Sequence, residues 1–206
     1  MQLRVAERGD TIIEVLFGIT VFSLVAVGTL SLMNQGAAMA QQALEIGLVR
    51  QQMDTQADAL RYLNSTYIED FHKAGVATDI WNAVAHDHQV SAAQPFNDVA
   101  DVNGCHLPDQ SGEAFALDVT KINNAFQQDK ANVGLVLKPI SPPTSYAGVL
   151  PMPDGSTAAQ GIWIQAVQST PNSGFYDFHI IACWSAPGVD TPIKLGTIVR
   201  LYEPQS

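Results

Sequence analysis

From Val15 to Met33 the chain runs for 19 residues without a charge or a proline, broken only by Gly, Ser and Thr. At about 1.5 Å per residue, a helix of that length spans roughly 28 Å, near the hydrocarbon thickness of a bilayer. No charged residue follows until Glu45, and no turn signal interrupts the change from all-round apolarity to a one-sided pattern. Beyond it, Ile46, Val49, Met53, Ala57, Leu60, Asn64, Tyr67 and Phe71 recur in steps of three or four, with Asn64 the one polar member. That is the period of an amphipathic helix. The first proline is Pro95, so the pattern predicts one helix from about Asp10 to about Phe71. Its first half suits lipid or a bundle of like helices, and its second half has one stripe to dock on a globular head. Gly18, Gly28, Gly36 and Gly47 weaken it by roughly 1 kcal/mol each relative to Ala.

The rest of the chain changes period. A short second helix is expected at Asp79 to Ala85 with Thr78 as N-cap, and Gln94 to Gly112, rich in Pro, Asn, Asp and Gly, reads as loop. Strands are expected at Ala114 to Val119, Val133 to Leu137, Ile162 to Val167, Phe175 to Trp184 and Gly196 to Tyr202. Turn residues at 168–174 join the third and fourth of these as an antiparallel hairpin. In the second arm, Tyr176, Phe178, Ile180, Ala182 and Trp184 alternate onto one face, which should cover the amphipathic half of the long helix. Ser141 to Gly161 is too rich in turn residues for core and is a candidate partner-contact loop. The predicted fold class is α+β: a long N-terminal helix, its apolar half protruding, packed on a C-terminal antiparallel sheet.

Charge removes one function class. The formal net charge is -10 and the 10 Lys and Arg are scattered, so no basic patch exists for nucleic-acid phosphates. Arg4 and Arg8 precede the apolar run and the next basic residue is Arg50, which places the N-terminus in the cytoplasm and the bulk outside. A cleavable signal peptide is the competing reading, because small residues follow the run in 34–43. The 2 cysteines, Cys105 and Cys183, lie in no metal-ligand spacing, and outside the membrane a disulfide between them would persist; the sequence leaves the pairing open against two buried thiols. His86, Asp87, His88 and His106 fix no closed metal site and read as solvated loop residues. No nucleophile elbow, phosphate loop or zinc-hydrolase motif occurs, so no catalytic residue, metal or cofactor is nominated.

One stretch carries more. "RGDTIIEVLFGITVF" resembles the processing site of type IV pilins and the pseudopilins of type II secretion: a short basic leader, a Gly, then an apolar helix with Glu at its fifth residue. The resemblance implies a leader over Met1 to Gly9, cleavage by prepilin peptidase between Gly9 and Asp10, methylation of the new terminus, and an assembly role for Glu14. Asp10 stands where such proteins commonly have Phe, and the proline common within their apolar run is missing. An ionised carboxylate near the hydrocarbon costs about 2–3 kcal/mol, so intramembrane acids usually have a partner. The resemblance supplies one: the free amine of a neighbouring subunit's Asp10. The competing role for Glu14 is a first-turn acid on the positive end of the helix dipole.

The expected organisation is thus leader 1–9, membrane and assembly half 10–33, amphipathic half 34–72 and α+β head 73–206. The expected function is a structural subunit, pilin or minor pilin, of a type IV pilus or related filament. Its partners would be other pilin subunits through helix bundling, prepilin peptidase, the inner-membrane assembly platform, and lipid before assembly. It would sit in the cytoplasmic membrane with the head outside, then in a surface filament. The alternatives are a secretion pseudopilin, a single-pass anchored binding protein, and an anchored extracellular hydrolase.

Overall fold

The computed structural model describes residues 10–106, 108, 114–119, 122, 140–141, 161–168, 170, 173–186 and 188–204. The chain divides into two compact units, residues 1–44 and 45–206. Helix α1, Asp10–Glu69, runs through 60 residues with no proline to break its ladder.

In the first unit α1 is apolar on every side and exposed: Ile12, Phe17, Phe22, Leu24 and Leu32 are each at least 70% accessible. Three hydroxyls here bond within the helix. Thr20, Ser23 and Thr29 donate to the carbonyls of Phe17, Ile19 and Val25 at 2.8, 2.7 and 2.7 Å. This is a segment long and apolar enough to cross a membrane once.

In the second unit the helix docks by one stripe. Val49, Met53, Ala57, Leu60 and Leu63 are buried with Tyr176, Phe178, Ile180, Ala182 and Trp184, the face that alternation assigned to this contact. Ile46 and Tyr67 pack at its margin. α1 stops at Glu69, short of the expected Phe71, and His72 at φ 68° takes the left-handed conformation that carries the chain away.

Helix α2 is Val76–Ala85, three residues longer at its start than expected. Thr78 is not its N-cap: Gly75 holds that position, its carbonyl taking the first bond from Asp79 N–H at 3.0 Å, and the Thr78 hydroxyl donates to Lys73 O at 2.9 Å. The chain turns at His72 and Gly75, so the helix begins as soon as the backbone is free to wind.

The main sheet has the order β1-β6-β7-β8, with β1 Gln89–Val90, β6 Gly161–Val167, β7 Phe175–Trp184 and β8 Ile193–Tyr202. β6 and β7 form the expected antiparallel hairpin, pairing Ile164 with Ile180; β1 joins β6 in parallel, so the sheet is mixed. β8 begins three residues before the expected Gly196 because its ladder with β7 is unbroken from Trp184↔Ile193 to Phe175↔Tyr202.

Two segments depart from the sequence reading. Gln94 to Gly112 is not simply loop: it holds a 3-10 turn, Phe96–Val99, and a small hairpin of β2, Ala100–Asp101, and β3, Gly104–Cys105. Of Ala114 to Val119 only β4, Ala116–Leu117, is strand, paired with β5, Ile140–Ser141, while Phe115 bridges to Ile164. Val133 to Leu137, and all of the Ser141 to Gly161 loop except its two ends, lie outside the described residues.

The sheet carries apolar clusters on both faces. Opposite α1, Val99, Trp163, Ile181 and Cys183 form a smaller buried group with Ala100, Cys105 and Ala114 at its edge. The molecule is therefore α+β, a long helix followed by a mixed, largely antiparallel sheet.

Candidate functional site

The residues singled out at the N-terminus fall one helical turn apart. Asp10 is the first residue of α1, Glu14 lies four positions on, and Gly9 is outside the described residues. Glu14 is exposed, as are Ile12, Ile13, Val15 and Leu16 around it. A carboxylate in the first described turn suits the positive end of a helix dipole, and here it interrupts an apolar surface.

The cysteines are brought together. Cys105 on β3 and Cys183 on β7 form a disulfide with Cα atoms 5.8 Å apart, which bolts the small hairpin over the second apolar cluster.

Three polar side chains on the docked stretch of α1 take specific partners, and of these the periodicity had marked only Asn64. Glu45 Oε2 accepts from the indole of Trp184 at 3.1 Å. Gln56, buried, donates Nε2 to Leu117 O and accepts Leu117 N–H at Oε1, both at 2.8 Å, as a strand would. Asn64, the polar member of the stripe, donates Nδ2 to Tyr202 O at 3.1 Å. The sequence signal was there in hindsight: polar residues within a buried stripe need partners, and strand ends supply backbone ones.

A second cluster gathers where the sheet ends against α2. Glu203 Oε1 accepts from Trp81 Nε1 at 2.5 Å and from His86 Nε2 at 3.0 Å; Tyr176 Oη lies 3.4 Å from His86 Nδ1, and Tyr67 stacks on Trp81 with ring centroids 5.6 Å apart. His86 is thus not simply a solvated loop residue but half of an ion pair. The hydrogen bond to Glu203 raises the His86 pKa against an opposing effect of burial. Burial resists ionisation of Glu203, yet the bonds from His86 and Trp81 outweigh it and hold the carboxyl below its ordinary range. Burial first, and then the Glu203 charge, push the Tyr176 phenol up to about 12. A histidine between a carboxylate and a phenol has the parts of a proton relay, and here it fastens Glu203 to the end of α2.

On the other face of the sheet lies a cleft of about 720 Å³, lined by Gln94, Pro95, Phe96, His179, Ile181 and Ile198 among others. Burial lowers the His179 pKa, with Asp177 opposing, so its imidazole is neutral at physiological pH. Among the described residues no three His, Cys, Asp or Glu are grouped to hold a metal ion. No protein-family model matches the chain, and no curated protein and no solved structure matches it either.

Proposed function

We propose that the chain is a structural subunit, a pilin or minor pilin, of a type IV pilus or related filament. The observation that carries this reading is α1 itself. One uninterrupted helix, described over the 60 residues Asp10–Glu69, is apolar and exposed through its first half and is docked on a disulfide-bonded head through its second. A simple anchor needs only about 20 apolar residues and no acid. Glu14, four residues from the proposed terminus, gives the helix a charge that a neighbour's Asp10 amine would neutralise as subunits leave the lipid. Asp10 adds a second carboxylate near that amine.

Processing by prepilin peptidase, insertion with the N-terminus inside, and delivery by an inner-membrane assembly platform belong to the same proposal. Intact mass of the protein recovered from cells tests it: loss of residues 1–9 is expected, and any methylation is read from the same spectrum. The second test is incorporation. Glu14→Leu is expected to insert in the membrane and to be missing from filaments; incorporation at the wild-type level refutes the docking role. Retention of residues 1–9 in a protein that never polymerises would favour a single-pass anchored binding protein.

A further inference from the structure

The exposed tip of the β2–β3 hairpin carries the chain's one Asn-Gly step, Asn103-Gly104. Such a step is chemically labile wherever the backbone can bend, because glycine puts no side chain in the way as its nitrogen approaches the asparagine Cγ. Gly104 sits at φ 136°, where L side chains rarely go, and a Cβ built on it meets nothing within 4 Å. Sterically, the step is open.

Two sets of contacts nevertheless occupy the atoms that would react. His106 N–H bonds Val99 O at 2.8 Å, and bonded pairs alternate along an antiparallel ladder, so with Ala100 opposite Cys105 the next exchanging pair is Asp101 with Gly104. That ties the Gly104 N–H into the turn. The Asn103 carboxamide is held by a side chain: Asp101 Oδ1 accepts Asn103 N–H at 2.6 Å, and Oδ2 accepts Asn103 Nδ2 at 3.1 Å. His106 Nε2 braces the same carboxylate at 3.0 Å. The Asn103 N–H above all, with His106 and against the effect of burial, holds the Asp101 carboxyl below its ordinary range, so it is an anion at neutral pH. An anion accepts hydrogen bonds and donates none. It therefore offers no proton to the nitrogen that would have to leave.

We propose that Asn103 is a guarded modification site: its carboxamide persists while the Asp101 clamp is closed, and converts to aspartate and isoaspartate when the hairpin tip opens. Gly104 N attacks Asn103 Cγ, the Cγ–Nδ2 bond breaks, and the nitrogen leaves as ammonia carrying the proton that Gly104 gave up. Water then adds to either carbonyl of the resulting succinimide and opens it, so the sum consumes one water and releases one ammonia. The change runs one way. A carboxamide that donated to Asp101 becomes a carboxylate that cannot, leaving two anions side by side, and isoaspartate lengthens the backbone within a two-residue turn. Cys105, the next residue after Gly104, is bonded to Cys183, so the altered tip stays tethered to β7. The inference does not depend on filament assembly.

The test incubates the full chain in lipid nanodiscs at neutral pH beside a capped peptide of residues 99–104, and follows residue 103 by peptide mapping that separates asparagine, aspartate and isoaspartate. The folded chain should convert at least about tenfold more slowly than the peptide, because the tip must open first. Asp101→Ala frees the carboxamide and should convert about fivefold faster than the parent. Asn103→Gln, whose carboxamide carbon stands one bond further out, should not convert. Exchange of the His106 amide shows whether the hairpin is still paired in each variant; should Asp101→Ala open it, His106→Ala removes only the brace and is expected to convert faster than the parent with the hairpin closed. In the converted protein, isolated by its extra negative charge, that same amide should exchange about tenfold faster than before. The proposal is overturned if the folded parent converts as fast as the peptide, if freeing Asp101 or its brace leaves the rate unchanged, if aspartate forms with no isoaspartate, or if conversion leaves the His106 amide as protected as it was.

Discussion

Gln56 acts as a piece of strand carried on a helix, and removing it gives a quantitative test of how the helix holds the head. Its carboxamide makes two 2.8 Å bonds to the N–H and C=O of Leu117, and residue 117 is 1% exposed, so no water replaces the amide. Gln56→Leu keeps the side-chain bulk and leaves two buried backbone groups unpaired. At about 1–3 kcal/mol for each such group, the expected loss is about 2–6 kcal/mol. Taking about 4 kcal/mol as the centre, the melting temperature falls by roughly 8–16 °C for a chain of this size. The control is Gln52→Leu, one turn earlier on the exposed side, expected within about 0.5 kcal/mol of the parent. Thermal and urea unfolding of the full chain in one detergent compare the three. Gln56→Glu adds a signature: it loses the donor to Leu117 O at neutral pH and regains one when protonated, so its deficit should shrink as pH falls. If Gln56→Leu melts with Gln52→Leu, the bidentate bond is not what seats β4, and the argument from buried satisfaction is wrong here.

Three further outcomes follow from other contacts. Reducing Cys105–Cys183, or replacing both by Ala, opens a loop of sequence separation 78 and should cost roughly 4–5 kcal/mol in the chain-entropy picture, read as a drop in urea midpoint that reductant reproduces in the parent and not in the variant. For the Glu203–His86 pair, the depressed Glu203 contributes stability above its ordinary 4.5 that is lost as pH falls, and the raised His86 contributes below its ordinary 6.5 that is lost as pH rises; melting should therefore be highest between those values, and Glu203→Gln should flatten the profile on both sides. Gly196→Ala places a Cβ 3.2 Å from Cε2 of Phe96, so the ring must shift; Phe96 and Lys194 resonances should move while stability changes by less than about 1 kcal/mol, and unmoved resonances would show that the ring does not lie on Gly196.

The long helix, the β6–β7 hairpin and the face of β7 that meets α1 were legible because each rests on a single strong periodicity. Val49, Met53, Ala57 and Leu60 announce one stripe, and Tyr176 through Trp184 announce one face. The start of α2 was misplaced because Thr78 looks like a cap by composition, whereas the turn at His72 and Gly75 decided the boundary. The hairpin at Ala100–Cys105 was hidden because two-residue strands have no period to detect; its staple, the disulfide, was visible only as two cysteines. Nothing local marks Glu203 as the partner of His86 either, since the two are 117 residues apart. At the N-terminus the sequence carried nearly all of the candidate site, and the structure adds that Asp10 and Glu14 lie on one helix and that Glu14 is exposed among apolar neighbours.

Glu45, Gln56 and Asn64 sit 11 and 8 residues apart on the docked part of one helix and grip three separate places in the sheet unit: Trp184, Leu117 and Tyr202. At about 1.5 Å per residue the grips are spaced by roughly 16 and 12 Å. A pull along the helix axis loads all three at once in shear, sharing tension among them, whereas a sideways pull would open them one after another like a zip.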